Sequence, residues 1–261
     1  MSEGWPKVWL IFATYRRTEL ALNTIRSLKE YLVYPNLHWH VADDGSGKTD
    51  DGTDRWHVGV LTEAIAEFYP DVTWHEMDTP PDQYNTGGNI NRAIRAMQDA
   101  GCDIYMLNFD DWALAYGLDI RSAVDVLDHE PSVGFVRLSY HVPGHGLLTV
   151  SYDAPRMNTA YMWERIIREW SVSNPYGDRD HYLVSTQPYV AHMRFHDAYG
   201  WHPENISPGL AEIGLSNQYT HSPLGESGPQ ILWQIGPITV HAPWKHMKGH
   251  AHLYAEQFPQ T

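Results

Sequence analysis

Along residues 7–109, short apolar runs alternate with segments whose apolar residues recur every three or four positions. The run KVWLIFATY (7–15) is apolar with β-branched and aromatic character and predicts a buried strand. Residues 17–32 then place Leu20, Leu22, Ile25, Leu28 and Leu32 at helical spacing. LHWHVADD (37–44) predicts a second strand, 58–69 a second helix and DVTWHEM (71–77) a third strand. In 87–101, Ile90, Ala93, Ile94 and Met97 share one helical face and Gly101 follows as a stop. DIYMLNF (103–109) is the fourth predicted strand. Strand and helix in alternation imply an α/β fold with a mostly parallel open sheet covered on both faces.

Beyond residue 115 the pattern loosens. Residues 118–130 predict a helix, and 133–140 and 146–154 predict strands around a Pro-Gly-His-Gly turn. Residues 155–185 read as irregular with aromatic anchors, and 189–201 as a strand and turn. SPGLAEIGLSNQYT (207–220) has Ser207 before Pro208 and predicts a short helix. The tail from 236 is not assigned, and no internal repeat is visible.

Open parallel sheets bind ligands beyond the carboxyl ends of their strands. Asp43, Asp44, Asp110 and Asp111 all stand where predicted strands end, so the fold should gather both acid pairs on one rim. The alternatives are ordinary: VADDGSG (41–47) suits a turn, and Asp110–Asp111 suits the cap of a following segment.

The chain has 261 residues, enough for one large α/β unit. Its 18 Lys and Arg against 32 Asp and Glu give a formal charge of −14, which repels phosphate polymers and anionic surfaces. The one cysteine, Cys102, excludes an intrachain disulfide and reads as a small core residue. No secretory leader is visible, and no apolar run approaches the ~18 residues of a membrane span, so a cytoplasmic protein is expected.

FATYRRTELALNTIRSL, VADDGSG, TGGNINRAI and LNFDDW, in this order and at these intervals, resemble the nucleotide-sugar glycosyltransferases of the GT-A fold, family 2. The match covers about the first 120 residues, with a weaker echo at 200–241. The resemblance implies a nucleotide-sugar-binding half (1–115) and an acceptor-side, catalytic-base half (116–261) packed as one continuous domain. It makes Thr14 and Tyr15 contacts to base and ribose, and Asp44, with Asp43, a partner of the uracil edge of a uridine-based donor. Arg17, Gly88, Asn89, Arg92 and Asp110 become further donor contacts. NFDDW falls on the family's acidic metal motif, but its first acid is here Asn108, which leaves Asp110 and Asp111 as the carboxylates. Asp111 and His241 are the implied ligands of Mn²⁺ or Mg²⁺, cations that stabilise a leaving diphosphate and take few protein carboxylates.

An acid at a helix start under the acceptor serves such enzymes as general base; Glu212 matches, with Glu204 as its rival. The implied partners are a nucleoside-diphosphate sugar and an acceptor with a free hydroxyl; a hydroxylated DNA base is a minority candidate that the charge disfavours. His241, His246, His250 and His252 lack an H-E-x-x-H pattern, so a zinc hydrolase is not expected. A nucleotidyltransferase on a related sheet is a competing class, although ATYRRTE lacks the glycines of a triphosphate loop, and a catalytically inactive sugar-binding relative is another.

Overall fold

A computed structural model describes residues 4–50, 55–80, 83–114, 116–138, 147–166, 183–184, 187–233 and 239–241; for 147, 166, 226, 233 and 239–241 it describes the backbone alone. Val8–Thr14 (β1) is buried along its whole length, as a strand covered on both faces must be. Thr18–Tyr31 (α1) follows, then Leu32–Val33 (β2), Leu37–Asp43 (β3), His57–Ala66 (α2), Thr73–Glu76 (β4), Thr86–Asp99 (α3) and Ile104–Phe109 (β5). The second half holds Trp112–Leu114 (β6), Leu118–Asp119 (β7), Arg121–His129 (α4), Val133–Arg137 (β8), Leu147–Ala154 (β9) and Thr159–Ile166 (β10). Tyr189–His192 (β11), Arg194–Tyr199 (α5), Pro208–Thr220 (α6), Gln230–Trp233 (β12) and Thr239–His241 (β13) complete it.

One sheet of nine strands, ordered β4-β3-β1-β5-β11-β8-β12-β10-β9, runs through both halves. It is mostly parallel: β11 is antiparallel to β5 and β8, and β10 is antiparallel to β12 and β9. Alternate residues of the strands feed two cores. Leu10, Phe12, Val41 and Met106 pack with Ile25 and Leu28 of α1, Leu61 of α2 and Val124 of α4. Ile11, Ala13, Tyr105 and Leu107 pack with Ile90, Ile94 and Met97 of α3, Phe195 of α5 and Leu215 and Tyr219 of α6. Cys102 is buried in this second core. Among the described residues no helix is long and apolar enough to cross a membrane.

Three expectations are corrected. Within the runs at 133–140 and 146–154, the described strands β8 and β9 do not pair with each other: β8 lies between β11 and β12, whereas β9 pairs with β10. The segment 155–185 is not irregular throughout, because Thr159–Ile166 is a strand whose Tyr161 and Trp163 face the core while Met162 is exposed. After β11 the chain forms a helix, α5, where a turn was expected.

A chain of polar side chains, with His38, His40, His75 and Asn89 buried, runs along β3 and β4. The Tyr69 hydroxyl lies 3.1 Å from His38 Nδ1, and Thr73 Oγ1 bridges His38 Nε2 and His40 Nδ1 at 2.9 and 2.8 Å. His40 Nε2 meets His75 Nδ1 at 2.9 Å, and His75 Nε2 meets Asn89 Oδ1 at 2.7 Å. Burial pushes the imidazoles down to about 3 for His40 and about 4 for His38 and His75. The same cause lowers His57, His192 and His196 to about 4 and His202 to about 3. The unfolded chain therefore binds more protons than the fold between those values and the ordinary 6.5. These groups contribute stability that is complete above pH ~6.5 and is lost as the pH falls towards ~4. Asp43 and Asp110, raised by burial to about 6 and about 7, and Asp44, raised by the same cause, oppose this by losing stability as the pH rises. Seven imidazoles outweigh three carboxyls, so the melting temperature should fall by at least about 5 °C from pH 7 to pH 5. Thermal unfolding across that range checks it; a flat or rising profile would contradict it.

Candidate active site

The parallel register of β3, β1 and β5 decides where the acids go. Thr14 pairs with Asp43, and Ala13 with Phe109, so the three strands end side by side. Past those ends, the Asp44 amide donates to Thr14 O at 3.1 Å and the Asp110 amide to Ala13 O at 3.0 Å. Both acid pairs thus flank the end of β1 on a single rim.

Asp110 is fully buried. Its Oδ2 accepts from the Thr14 hydroxyl at 3.0 Å, the Tyr15 amide at 3.2 Å and Arg17 Nε at 3.3 Å, and its Oδ1 accepts from Arg17 Nη2. Arg17 Nη1 reaches on to Asp111 Oδ2 at 3.0 Å, so one guanidinium spans both carboxylates. Burial raises Asp110 to about 7 against the opposing pull of Arg17, with Asp111 adding to the rise. The turn that aims these groups is strained: Arg16 has φ 54°, a left-handed conformation that costs a non-glycine residue ~1 kcal/mol or more. It is held by its amide, which donates to Ser46 Oγ at 2.7 Å. From α1, the Thr24 hydroxyl donates to Asp110 O at 2.6 Å.

Asp43 accepts from the Ser46 amide at 2.6 Å and from its hydroxyl, closing a tight turn in which Gly45 has φ 83°. Burial raises its pKa to about 6. His57, at the start of α2, links the two pairs: its Nε2 lies 3.0 Å from Thr14 Oγ1 and 3.7 Å from Asp43 Oδ1, and its Nδ1 lies 2.8 Å from Thr18 Oγ1. Asp44 accepts from Thr79 Oγ1 at 2.9 Å, the Asn85 amide at 3.2 Å and Thr86 Oγ1 at 3.5 Å. A carboxylate offers about four acceptor directions, of which these described residues take three. The half-buried Tyr15 ring sits under the Arg16 guanidinium at 5.1 Å; burial raises its pKa, Arg16 opposes, and Asp44 and Tyr84 are near enough to add to it.

The α3 residues face both the sheet and the outside. Asn89 is buried against the sheet, with Nδ2 donating to Ala42 O at 2.9 Å and Oδ1 meeting His75. Arg92 lies outside, with Nη1 donating to Glu76 O at 3.4 Å. Gly88 makes room for the Asn85 side chain, which a Cβ would approach to 2.5 Å and whose Oδ1 accepts from the Gly88 and Asn205 amides. At Gly87 a Cβ would overlap the carbonyl oxygen of Pro203. Asn108 has a structural reason to be an amide: its Nδ2 donates to Phe109 O at 2.9 Å and Trp112 O at 3.1 Å. An aspartate there would set a carboxylate against two carbonyl oxygens.

Of the two candidate bases, Glu204 is held on α3 by Asn91 Nδ2 at 2.8 Å and Arg95 at 3.6 Å. Glu212, on α6, is near enough to influence Arg137 and Tyr189, which stand at the end of β8 and the start of β11 on the acid-bearing rim. Burial lowers Arg137 to about 10, with Glu212 opposing. Among the described residues no cluster of three metal-ligating side chains occurs. The backbone of β13 does, however, pair His241 with Trp112, the residue after Asp111. His246, His250 and His252 lie outside the described residues.

The structure is similar to the mannosyltransferase PcManGT of Pyrobaculum calidifontis, solved in complex with GDP-Man and Mn²⁺, with a TM-score of 0.55 and 16% identity over 94% of this chain and 59% of that one. S. aureus TarS matches with a TM-score of 0.55 and 13% identity over 91% of this chain and 37% of that one. TarS 1-349 in complex with UDP-GlcNAc matches with a TM-score of 0.52 and 13% identity over 92% and 59%. The fold is GT-A. This chain spans 59% or less of the length of each of these proteins. No protein-family model and no curated protein matches it.

In this GT-A chain, sequence reasoning missed His57, Ser46, Thr79, Thr86 and Asn85. A partial signal existed, since Ser46 three residues after Asp43 is the spacing of an Asp-closed turn. Gly87→Ala should destabilise the protein by about 1–3 kcal/mol, because it forces the Pro203 backbone away from α3. Gly117→Ala, where a Cβ meets nothing within 4 Å, should leave the unfolding midpoint unchanged. Equal midpoints for the two variants in urea would refute the close approach.

Proposed function

We propose that this chain is an inverting, metal-dependent glycosyltransferase that moves a sugar from a uridine diphosphate donor to an acceptor hydroxyl. The observation that carries this reading is the gathering of Asp43, Asp44, Asp110 and Asp111 around the end of β1 in a GT-A sheet. The relatives in hand bind different bases, GDP-Man in one and UDP-GlcNAc in the other, so the choice of base rests on this chain's own Tyr15 and Asp44. Tyr15 supplies a partly exposed ring for stacking, and Asp44 an acceptor for an imide N–H.

The acid pair suits a hard divalent cation. Two adjacent carboxylates, one fully buried, share the Arg17 guanidinium, and β13 brings the His241 backbone alongside. Asp111, Asp110 and His241 would hold Mn²⁺ or Mg²⁺, which when bound offsets the charge of a departing diphosphate. Glu212 takes the proton of the acceptor hydroxyl. The oxygen forms its bond to the anomeric carbon on the face opposite the diphosphate, whose bond to that carbon breaks with its electron pair. A single displacement of this kind inverts the anomeric centre.

Glu212→Gln should lower kcat by about 10²–10⁴ while leaving the Kd for UDP with Mn²⁺ unchanged. Asp111→Ala should weaken that Kd at least about tenfold. Calorimetry and turnover assays decide; equal UDP affinity for wild type and Asp111→Ala in the presence of Mn²⁺ would contradict the assignment.

A further inference from the structure

We propose that Arg17 is a built-in counter-ion for the acid pair, one that excludes free divalent metal and gives way to a metal-chelated diphosphate. The inference rests on the reading of Asp110 and Asp111 as the metal-holding acids and adds an order of binding to it. Three guanidinium nitrogens are committed: Nη2 and Nε to Asp110 in a side-on pair, and Nη1 to Asp111. A dication accepted by these carboxylates takes lone pairs that Arg17 holds, and it repels a guanidinium left at that distance. Guanidinium and dication therefore compete for the same carboxylate oxygens.

Which partner moves is set by burial. The Asp110 side chain has no exposure and is fixed by Thr14 and the Tyr15 amide, whereas the Arg17 side chain is 29% exposed. Arg17 also occupies the N-cap position of α1, directly after the left-handed Arg16, so its backbone is set while its side chain can rotate towards the mouth of the rim. Free metal brings no phosphate to the displaced guanidinium. A chelated diphosphate brings phosphate oxygens to the same place, and a planar guanidinium binds those in the bidentate manner it already uses here. Metal and nucleotide should accordingly bind with positive coupling, and by linkage the coupling is reciprocal.

Binding of MnCl2 alone, followed by the spin-resonance signal of free Mn²⁺, tests this on the intact protein without any turnover. Arg17→Gln should bind Mn²⁺ at least about tenfold more tightly than wild type, while its affinity for UDP in saturating Mn²⁺ falls by about the same factor. Arg17→Lys, which keeps the charge but cannot span two carboxylates, should lie between them, and it serves if the glutamine variant does not fold. Thermal melts verify that each variant is folded. Unchanged Mn²⁺ affinity in both Arg17 variants would overturn the inference, and would leave the metal assignment standing if Asp111→Asn still abolishes Mn²⁺-dependent UDP binding. Wild type and Asp111→Asn binding UDP equally with and without Mn²⁺ would overturn the metal assignment itself.

Discussion

A carboxylate with no access to water is the constraint around which this end of the sheet is built. Burying an ion costs several kcal/mol unless donors and counter-charge replace its hydration. For Asp110 they come from three places in the chain: the last residue of β1, the strained turn after it and the N-cap residue of α1. Each is fixed in turn, the turn by Ser46 and the helix by the Thr24 hydroxyl on the Asp110 carbonyl. The loop from β3 to α2 is tied in through His57, so that moving any one segment exposes or strands a charge in the others. Rigidity at the rim is thus electrostatic as much as steric.

The GT-A architecture explains why such a costly arrangement is kept. Parallel strands deliver several chain ends to one edge, and a crevice there admits a ligand without opening the cores. In this chain the antiparallel β11 next to β5 extends that edge to Arg137, Tyr189 and the α6 residue Glu212. The groups proposed to bind the nucleotide and to face the acceptor therefore border one sheet.

Elements whose burial follows from local periodicity were legible in the sequence. The alternation of β1, α1, β3, α2, β4, α3 and β5 is visible because β1 and β5 are apolar runs and α1 and α3 carry a clear stripe. The acids at the strand ends were legible for the same reason, since charge directly after a buried run marks an edge. Sequence spacing could not show what the register creates. Thr14, His57 and Asp110 lie far apart in the chain and meet because β1 pairs with both β3 and β5. Asn89 reads as a polar helix residue open to a ligand, yet the histidine chain on β3 and β4 claims it. The second half is harder because β10 mixes charged and aromatic residues at a sheet margin, and because β8 finds its partners more than forty residues downstream.

Asn85 shows where this molecule has little latitude. Its amide holds Asp44, and its side chain holds both the first turn of α3 and the Asn205 amide. The neighbouring stretch is clasped twice more, with the His202 carbonyl on Asn91 and the Pro203 carbonyl against Gly87. Surface connections ordinarily absorb insertions and deletions over evolutionary time. This one is tied at His202, Pro203 and Asn205 to the helix beside Asp44, so a change of length here would break contacts that an ordinary surface connection lacks.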